Sequence, residues 1–387
     1  MEFIPKAARF MALPDKFRLW RGGTLSTAQV AYEAVGCLNA SQDNVILIMP
    51  GLSPDGHVAS HEEDMSPGWW EKMIGPGKPI DTLRWYVICV NPLGSCKGST
   101  GPASLNPATS NAYRLSFPEL SIVDIADAAA YVVRALGFKQ LACVIGCSMG
   151  GMSSLALLAR HPDLTRSHIN ISGAASALPF SIAVRSLQRE IVQSDPMWNF
   201  GQYNQNSFPK QGMVMARKLG LISYRSTREW DKRFGRILVD SYSEGKENSF
   251  YPRFAVEEYL ECQAQRFVHQ FDPNCFLYLS RAIDRFDLGK TMGCTSQEAL
   301  QRLQIENALV IGVDTDILFP LQQQVEIAEG LRASGANVQF QAQESEIGHD
   351  AFLVEINKFG RLISNFLIKI SSVPPVHYCL EKVYVNE

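Results

Sequence analysis

The sequence predicts an α/β fold with a mostly parallel sheet and an inserted helical lid. Short continuous apolar runs recur along the chain, and segments with helical spacing of apolar residues lie between them. Runs of this kind are typical of strands that are covered on both faces, as in a parallel sheet. Alternation of strands and helices then favours right-handed crossover connections.

The predicted elements follow one another in that alternating order. Four apolar runs and one later, less regular stretch predict strands at 45–50, 86–90, 141–146, 308–313 and 338–342. Apolar residues at helical spacing predict core helices at 122–136, 152–160 and 321–334. Ser121 directly precedes the first of these helices.

The middle of the chain differs from its two ends. From about residue 178 to residue 300 strand-like runs are few, and helical spacing dominates, for example at 183–192 and 254–271. We therefore expect an α/β core formed by residues 1–177 and 301–387, with residues 178–300 inserted as a helical lid. The sequence contains no internal repeat that would suggest another organisation.

Composition excludes several classes of protein. Hydrophobic residues make up 46% of the 387 residues and charged residues 19%, which is typical of a globular protein and not of a disordered one. A net charge of −3 without a basic cluster gives no support for nucleic-acid binding. No apolar run reaches membrane-spanning length, and the first residues lack the pattern of a signal peptide, so no membrane association is expected. The nine cysteines are scattered and form no C-x-x-C pair, which favours reduced cysteines in a cytoplasmic protein over a zinc site or disulfide framework.

A Gly-x-Ser-x-Gly segment, Gly146 to Gly150, follows the apolar run 141–146 and precedes a helical pattern. Strand, Gly-x-Ser-x-Gly and helix in this order are typical of a nucleophile elbow, in which a sharp turn exposes the serine hydroxyl. The alternative is a glycine-rich turn with a buried serine, and the flanking strand and helix favour the elbow. Ser148 is therefore the predicted nucleophile. Cys147 is interpreted as a small packing residue, because neighbouring side chains in a tight turn point apart.

An α/β-hydrolase triad runs along the chain as Ser, then Asp or Glu, then His, each after a strand. Asp314 and Asp316 both follow the strand at 308–313, and this order leaves both open as the acid. His349 follows the stretch 338–342 and is the predicted base, and only His377 comes after it. His349 would take the Ser148 proton and return it to the leaving group.

An acyl-enzyme mechanism also needs two donors for the oxyanion that forms on the substrate. One backbone N–H should come from Met149, directly after the nucleophile. The other should come from the loop after the strand at 45–50, where Leu52 is the predicted donor.

Longer motifs resemble the homoserine/serine O-acyltransferases, which belong to the α/β-hydrolase superfamily. The resemblance is carried by the loop Asn91-Pro92-Leu93-Gly94-Ser95-Cys96-Lys97-Gly98-Ser99-Thr100-Gly101-Pro102, the elbow 146–152, and the segments 316–320 and 348–353. It covers about residues 15–368 and selects Asp316 over Asp314 as the acid. It implies ping-pong acylation of the hydroxyl of a small amino acid, with acyl-CoA as a substrate and no metal or bound cofactor. It also implies a homodimer that associates through the lid.

The resemblance further implies substrate contacts. Arg217 would bind the amino-acid carboxylate, Tyr224 would line the pocket, and Asp350 would pair with the ammonium group. From the residues alone, Arg217 and Tyr224 could equally be lid surface residues. The loop Leu52-Ser53-Pro54-Asp55 and the segment 177–185 resemble the serine-acylating branch, and 153–157 departs from the homoserine pattern.

Arg185 occupies a position that the resemblance associates with acyl-CoA choice. An arginine there could pair with the free carboxylate of a succinyl group, whereas an acetyl group offers it no partner. The alternative is an arginine that caps or solvates a lid helix. The prediction is a serine O-succinyltransferase of cysteine or sulfur amino-acid supply. L-serine O-acetyltransferase and homoserine O-acyltransferase are the near alternatives, and an esterase with the same triad is the distant one. The tail 373–387 lies beyond the resemblance and has no assigned role.

Overall fold

The central sheet has eight strands, and the predicted triad residues follow three of them. The computed structural model describes residues 1–239 and 253–371. Its sheet contains β1 (Arg9–Ala12), β2 (Gln29–Val35), β3 (Val45–Met49), β4 (Tyr86–Val90), β5 (Cys143–Cys147), β6 (Ser167–Ile171), β7 (Asn307–Val313) and β8 (Asn337–Gln343). Their order is β1-β2-β4-β3-β5-β6-β7-β8. The first two pairings are antiparallel and the remaining five are parallel, which confirms the predicted mostly parallel sheet.

All five predicted strands are present, with bounds that match or differ by at most two residues at either end. Sequence inspection missed β1, β2 and β6. The last of these contains His168 and Asn170, both fully buried, so it does not read as an apolar run. Asn170 donates a hydrogen bond to the backbone oxygen of Gly151 on the helix that follows Ser148, and His168 contacts the backbone oxygen of Val144 on the neighbouring strand.

Twelve α-helices occur in the described part of the chain. They are α1 (Ile122–Ala135), α2 (Met149–Arg160), α3 (Pro179–Ser194), α4 (Lys210–Tyr224), α5 (Thr227–Phe234), α6 (Ala255–Val268), α7 (Pro273–Asp284), α8 (Leu288–Met292), α9 (Ser296–Gln301), α10 (Leu321–Ala333), α11 (Ala351–Val354) and α12 (Ile356–Ile370). Ser121 caps α1 through a reciprocal hydrogen-bond pair with Asp124. No helix within residues 1–239 and 253–371 is long and apolar enough to cross a bilayer.

Hydrophobic packing covers the sheet on both faces. Alternate residues of β3 enter different clusters, since Leu47 and Met49 pack with the α1 and α2 side, whereas Ile46 and Ile48 pack with α12. Successive strand residues point to opposite faces, so two packed faces require a continuous apolar run. This is the physical reason why the strands were recognisable in the sequence.

The segment between β6 and β7 contains the predicted insertion, residues 178–300, and its described residues are mainly helical. The predicted helices at 183–192 and 254–271 correspond to α3 and α6, and α4, α5 and α7 lie between or beside them. Helix α3 begins earlier than expected because Pro179 occupies its first turn, where proline is well tolerated. Residues 240–252 of the insertion and the tail 373–387 lie outside the described residues.

Candidate active site

Ser148 lies at a sharp turn between β5 and α2. Its backbone has φ 56° and ψ −120°, a conformation that non-glycine residues rarely adopt. The turn needs both flanking glycines: a Cβ at Gly146 would lie 2.3 Å from the Gly150 oxygen, and one at Gly150 would lie 1.8 Å from the Met49 oxygen. The Gly-x-Ser-x-Gly pattern is therefore dictated by steric contact with the backbone.

Helix α2 begins at Met149, three residues before the predicted start at 152. The sequence signal was masked because Gly150 and Gly151 have low helix propensity. As the first helical residue, Met149 has a backbone N–H without an acceptor inside the helix. Cys147 is fully buried, and burial raises the pKa of its thiol, so its geometry fits a packing residue.

Three side chains from the carboxyl ends of three strands form a hydrogen-bonded chain. His349 Nε2 lies 2.8 Å from Ser148 Oγ, and His349 Nδ1 lies 2.7 Å from Asp316 Oδ2. With Nδ1–H donating to the carboxylate, Nε2 is left to accept the serine proton. The second Asp316 oxygen, Oδ1, accepts hydrogen bonds from the N–H groups of Leu318 and Phe319, each at 2.9 Å. These contacts fix the carboxylate against the imidazole.

Asp314, the other aspartate that the residue order left open, has different contacts. Its Oδ1 accepts from the Ser345 backbone N–H at 2.9 Å, and its Oδ2 lies 3.9 Å from Arg228. It thus braces the loop after β8, while Asp316 contacts His349.

The imidazole of His349 is enclosed and electrostatically tuned. Its ring stacks on Phe319 with a centroid distance of 5.0 Å. Burial disfavours the charged ring, but attraction to and hydrogen bonding with Asp316 outweigh burial, so the pKa of His349 is raised above 6.5. Asp350 raises this pKa further, and Arg185 opposes it. A histidine whose pKa is raised is a stronger base, which suits proton transfer from a serine.

A narrow cavity of about 40 Å³ opens at the Ser148 hydroxyl. The sheet side contributes Leu52, the site of the predicted oxyanion donor, together with His349. Helices α3, α4 and α7 of the insertion contribute most of the remaining lining, which includes Arg185, Gln188, Ser223, Tyr224, Phe276, Ser280 and Ile283. The insertion therefore covers the nucleophile.

Arg185 reaches the cavity from α3 and is only 8% exposed, which contradicts the alternative of a solvated surface arginine. Its Nε donates to Asp284 Oδ1 at 2.5 Å, and Arg189 Nη2 lies 2.7 Å from the other oxygen of the same carboxylate. Two guanidinium groups thus share one carboxylate, which leaves this trio with a net positive charge. Among the described residues, Arg185 Nη2 is buried without a hydrogen-bond partner.

Tyr224 is the centre around which the other predicted substrate contacts gather. The Arg217 guanidinium lies 5.6 Å from the Tyr224 ring centroid and 4.4 Å from that of Phe267. Burial raises the pKa of the Tyr224 phenol; Arg217 lowers it, Asp350 raises it and Arg185 lowers it, so all three charges act on this hydroxyl. Arg217 and Asp350 do not line the cavity formed by the described residues around Ser148. Asp350 Oδ2 lies 3.3 Å from Arg225 Nε, an ion pair that the sequence did not suggest.

The loop 52–55 is divided between two places. Leu52 faces the nucleophile, whereas Ser53, Pro54 and Asp55 line a separate cavity of about 750 Å³. Asp55 lies 3.7 Å from Lys97, and burial raises the pKa of its carboxyl in spite of that lysine. The structure therefore does not bring the last three loop residues to Ser148.

Sequence reasoning missed the residues that hold Arg185. Arg189 is four residues further along α3, so helical spacing alone could have placed the two arginines on one face. Asp284 ends α7, 99 residues away from Arg185 in the chain, and carries no local signal. Ser280 accepts a hydrogen bond from Arg189 Nη1 at 2.8 Å, and no sequence motif indicates this contact either.

Comparison with known proteins agrees with this architecture. A family model described as alpha/beta hydrolase fold matches residues 44–356. The chain is 60% identical to an L-serine/homoserine O-acetyltransferase of Streptomyces lavendulae, with 95% of this chain and 98% of that protein covered. It is 59% identical to a serine O-succinyltransferase of Xanthomonas campestris pv. campestris, with 95% and 99% covered.

Solved structures share the fold over nearly the whole chain. A homoserine O-acetyltransferase from Bacillus anthracis superposes with a TM-score of 0.83 at 26% identity, covering 93% of this chain and 97% of that one. Esterase E22 superposes equally well, with a TM-score of 0.83 at 27% identity and coverage of 93% and 99%. Family model, relatives and site architecture agree, and the chain belongs to the serine and homoserine O-acyltransferase family of the α/β-hydrolase superfamily.

Proposed function

We propose that this acyltransferase moves a succinyl group from succinyl-CoA to the hydroxyl of L-serine through an acyl-Ser148 intermediate. The observation that carries the proposal is the hydrogen-bonded chain of Ser148, His349 and Asp316 beside a buried arginine. The relatives named serine O-succinyltransferase, which are 55–59% identical in sequence, support the same substrates.

The first half-reaction acylates the enzyme. His349 Nε2 removes the Ser148 proton, and Oγ attacks the thioester carbonyl of the acyl-CoA. The oxyanion is stabilised by the N–H of Met149, at the start of α2, and by the N–H of Leu52. When the carbon–sulfur bond breaks, the CoA sulfur takes the proton from His349 and leaves as the thiol.

The second half-reaction transfers the acyl group. The hydroxyl of L-serine gives its proton to His349 and attacks the acyl-Ser148 ester. The second oxyanion collapses, the new ester of L-serine forms, and His349 returns the proton to Ser148 Oγ. Asp316 holds the imidazole in the required tautomer and stabilises its charged form in both halves.

Two sets of charges fit the two substrates. The buried Nη2 of Arg185 has no hydrogen-bond partner among residues 1–239 and 253–371, and it suits the free carboxylate of the succinyl group. Arg217 and Asp350, which both act on Tyr224, suit the carboxylate and ammonium of the amino acid, with Arg225 as the existing partner of Asp350. We further propose that the helical insertion, residues 178–300, acts as the lid over these substrates.

CoA release tests the proposal directly. Thiol release is measured for each pairing of succinyl-CoA or acetyl-CoA with L-serine or L-homoserine. Succinyl-CoA with serine is expected to turn over fastest, and succinyl-CoA alone is expected to add one succinyl mass to the protein but not to the Ser148→Ala variant. Faster turnover with acetyl-CoA and homoserine would overturn the serine–succinyl assignment.

Acetyl transfer to serine is the second candidate, favoured by the 60% identical relative that is named L-serine/homoserine O-acetyltransferase. The proposed amino-acid site distinguishes acyl transfer from hydrolysis by an esterase-type reaction, because hydrolysis does not need it. Replacing Arg217 with Ala should weaken the use of serine strongly and leave nitrophenyl-ester cleavage largely intact. Equal loss of both activities would indicate a structural role for Arg217.

We also propose a homodimer formed through the insertion, in the cytoplasm. Helices α3 and α4 expose four large apolar side chains, Phe180, Leu187, Met215 and Ile222, each between 48% and 54% exposed. We propose that these side chains form one apolar patch, which would be typical of an association site. The eight cysteines in the described residues are all free, which supports a reducing compartment. Light scattering in solution would measure the mass of the assembly.

A further inference from the structure

A buried carboxylate and two imidazoles meet outside the acyl-transfer site. Glu33 lies on β2 and is 2% exposed, and His57 and His61 follow β3 in the chain. His57 Nδ1 lies 2.8 Å and His61 Nε2 lies 2.9 Å from the same atom, Glu33 Oε2. None of the three residues lines the cavity at Ser148.

The second carboxylate oxygen of Glu33 points to a further ligand. Among the described residues, Glu33 Oε1 is buried and has no hydrogen-bond partner. A buried polar atom without a partner is unfavourable and uncommon in native proteins. Both imidazoles contact only one oxygen of the Glu33 carboxylate. A cation bound to this carboxylate would compensate its negative charge.

His57 is oriented as a metal-binding histidine usually is. His57 Nε2 lies 2.8 Å from the backbone oxygen of Ser66, which can accept its N–H. A metal-binding histidine commonly donates its other N–H to a backbone carbonyl or carboxylate, which fixes the tautomer and aims the free nitrogen. The two rings are tilted by 52° with centroids 5.7 Å apart, and one nitrogen of each ring approaches Glu33 Oε2.

We propose that Glu33, His57 and His61 bind a divalent metal ion of the zinc class, through the carboxylate, His57 Nδ1 and His61 Nε2. The three ligand atoms lie within 4.8 Å of one another. A tetrahedral zinc ion with ligands at about 2.0–2.1 Å separates them by roughly 3.3 Å, so each imidazole needs to retreat from Glu33 by only about 0.5 Å.

The choice of metal follows from the ligands. Two imidazoles and one carboxylate form a typical zinc set, whereas Mg²⁺ and Ca²⁺ prefer oxygen ligands throughout. His57 also lines the cavity of about 750 Å³ beside the loop 52–55, which gives an ion a route of entry and a fourth, solvent ligand a place. The ion would join β2 to the loop segment that begins at Leu52, and its role is structural.

The test compares zinc binding by the full chain and two matched variants. Protein treated with a chelator is dialysed against Zn²⁺, metal per chain is measured by atomic emission, and Co²⁺ absorption reports the coordination geometry. We expect one zinc per wild-type chain and at least about tenfold weaker binding by His61→Gln. His61 suits substitution because its side chain is 16% exposed and lies at the rim of the cluster.

His161→Gln is the matched control. The His161 side chain is 17% exposed and also lies 2.8 Å from a carboxylate oxygen, that of Asp127, but it is not part of the cluster. This variant should bind zinc as the wild type does. Zinc should also raise the unfolding temperature of the wild type and of His161→Gln, and not that of His61→Gln.

Two results would overturn the site. One is a wild-type chain that takes up no zinc under these conditions. The other is equal zinc affinity in wild type and His61→Gln, which would assign the metal to other groups such as the exposed thiols Cys37 and Cys262. If His61→Gln does not fold, Glu33→Gln, which keeps the size of the side chain and its hydrogen-bonding capacity, gives the same comparison.

Discussion

Arg185→Met is expected to change the preferred acyl donor. The substitution keeps an unbranched side chain of similar length and removes the guanidinium. If Arg185 binds the succinyl carboxylate, succinyl-CoA loses a charged contact, whereas acetyl-CoA has no group at that position to lose. The ratio of kcat/KM for the two donors is therefore the quantity to measure.

The magnitude follows from the surroundings of Arg185. The guanidinium is 8% exposed and already held by Asp284, so little further ordering or desolvation opposes its contact with a substrate. A hydrogen bond to a charged group contributes about 1.5–3 kcal/mol. At about 1.4 kcal/mol per factor of ten, kcat/KM for succinyl-CoA should fall about 10- to 150-fold. The value for acetyl-CoA should change by less than about threefold, which corresponds to the roughly 0.5 kcal/mol typical of substitutions without a specific contact.

Thiol release with saturating serine is the assay, and Arg189→Met is its matched control. Arg189 pairs with the same carboxylate from the same helix but does not line the cavity at Ser148. The Arg189→Met variant should show how much activity is lost when the contacts of Asp284 are disturbed. The ratio of kcat/KM for succinyl-CoA and acetyl-CoA should stay unchanged. Equal losses with both donors in a folded Arg185→Met protein would refute the assignment of Arg185 to the acyl group.

Three further predictions concern the triad and the elbow. Asp316→Asn should lower kcat about 10⁴-fold, because the imidazole loses its orienting partner, whereas Asp314→Asn should stay within about threefold; comparable losses would contradict the geometry. The pH profile of kcat/KM should rise with pH through the pKa of His349, because only the neutral ring accepts a proton, and the midpoint should lie above 6.5; a profile already flat below 6.5 would be inconsistent. Gly150→Ala should destabilise the fold by about 3 kcal/mol or more, since its methyl meets a backbone oxygen at 1.8 Å. Gly51→Ala, with 3.8 Å to its nearest neighbour, should change unfolding by less than about 1 kcal/mol, and similar denaturation midpoints would remove the steric argument.

The elements that could be predicted from the sequence are those whose physical cause is local. A strand packed on both faces must be apolar throughout, and β3 and β4 show this directly. The glycines of the elbow are required by close backbone contact, so the Gly-x-Ser-x-Gly pattern identifies Ser148 from the sequence alone. Strand β2 gave a weaker signal, because Glu33 interrupts its apolar pattern. The partners of Glu33 are His57 and His61, which lie in another segment of the chain.

The parts of the site that escaped prediction depend on contacts between distant segments. Residue order could not separate Asp314 from Asp316, whereas the turn after β7 directs one to His349 and the other to Ser345. The partner of Arg185 comes from another helix of the insertion. The Arg225–Asp350 ion pair likewise joins α4 to the loop before α11.

The backbone of Ser148 has a consequence for the balance between activity and stability. Its φ of 56° with ψ of −120° is a sparsely populated conformation that costs on the order of 1–3 kcal/mol for a residue with a Cβ. Replacing Ser148 with Ala keeps this cost, whereas glycine adopts positive φ without it. Ser148→Gly should therefore be inactive yet unfold at a higher temperature than Ser148→Ala. The reactive hydroxyl is presented at the expense of the stability of the fold, and that trade-off is concentrated in a single residue.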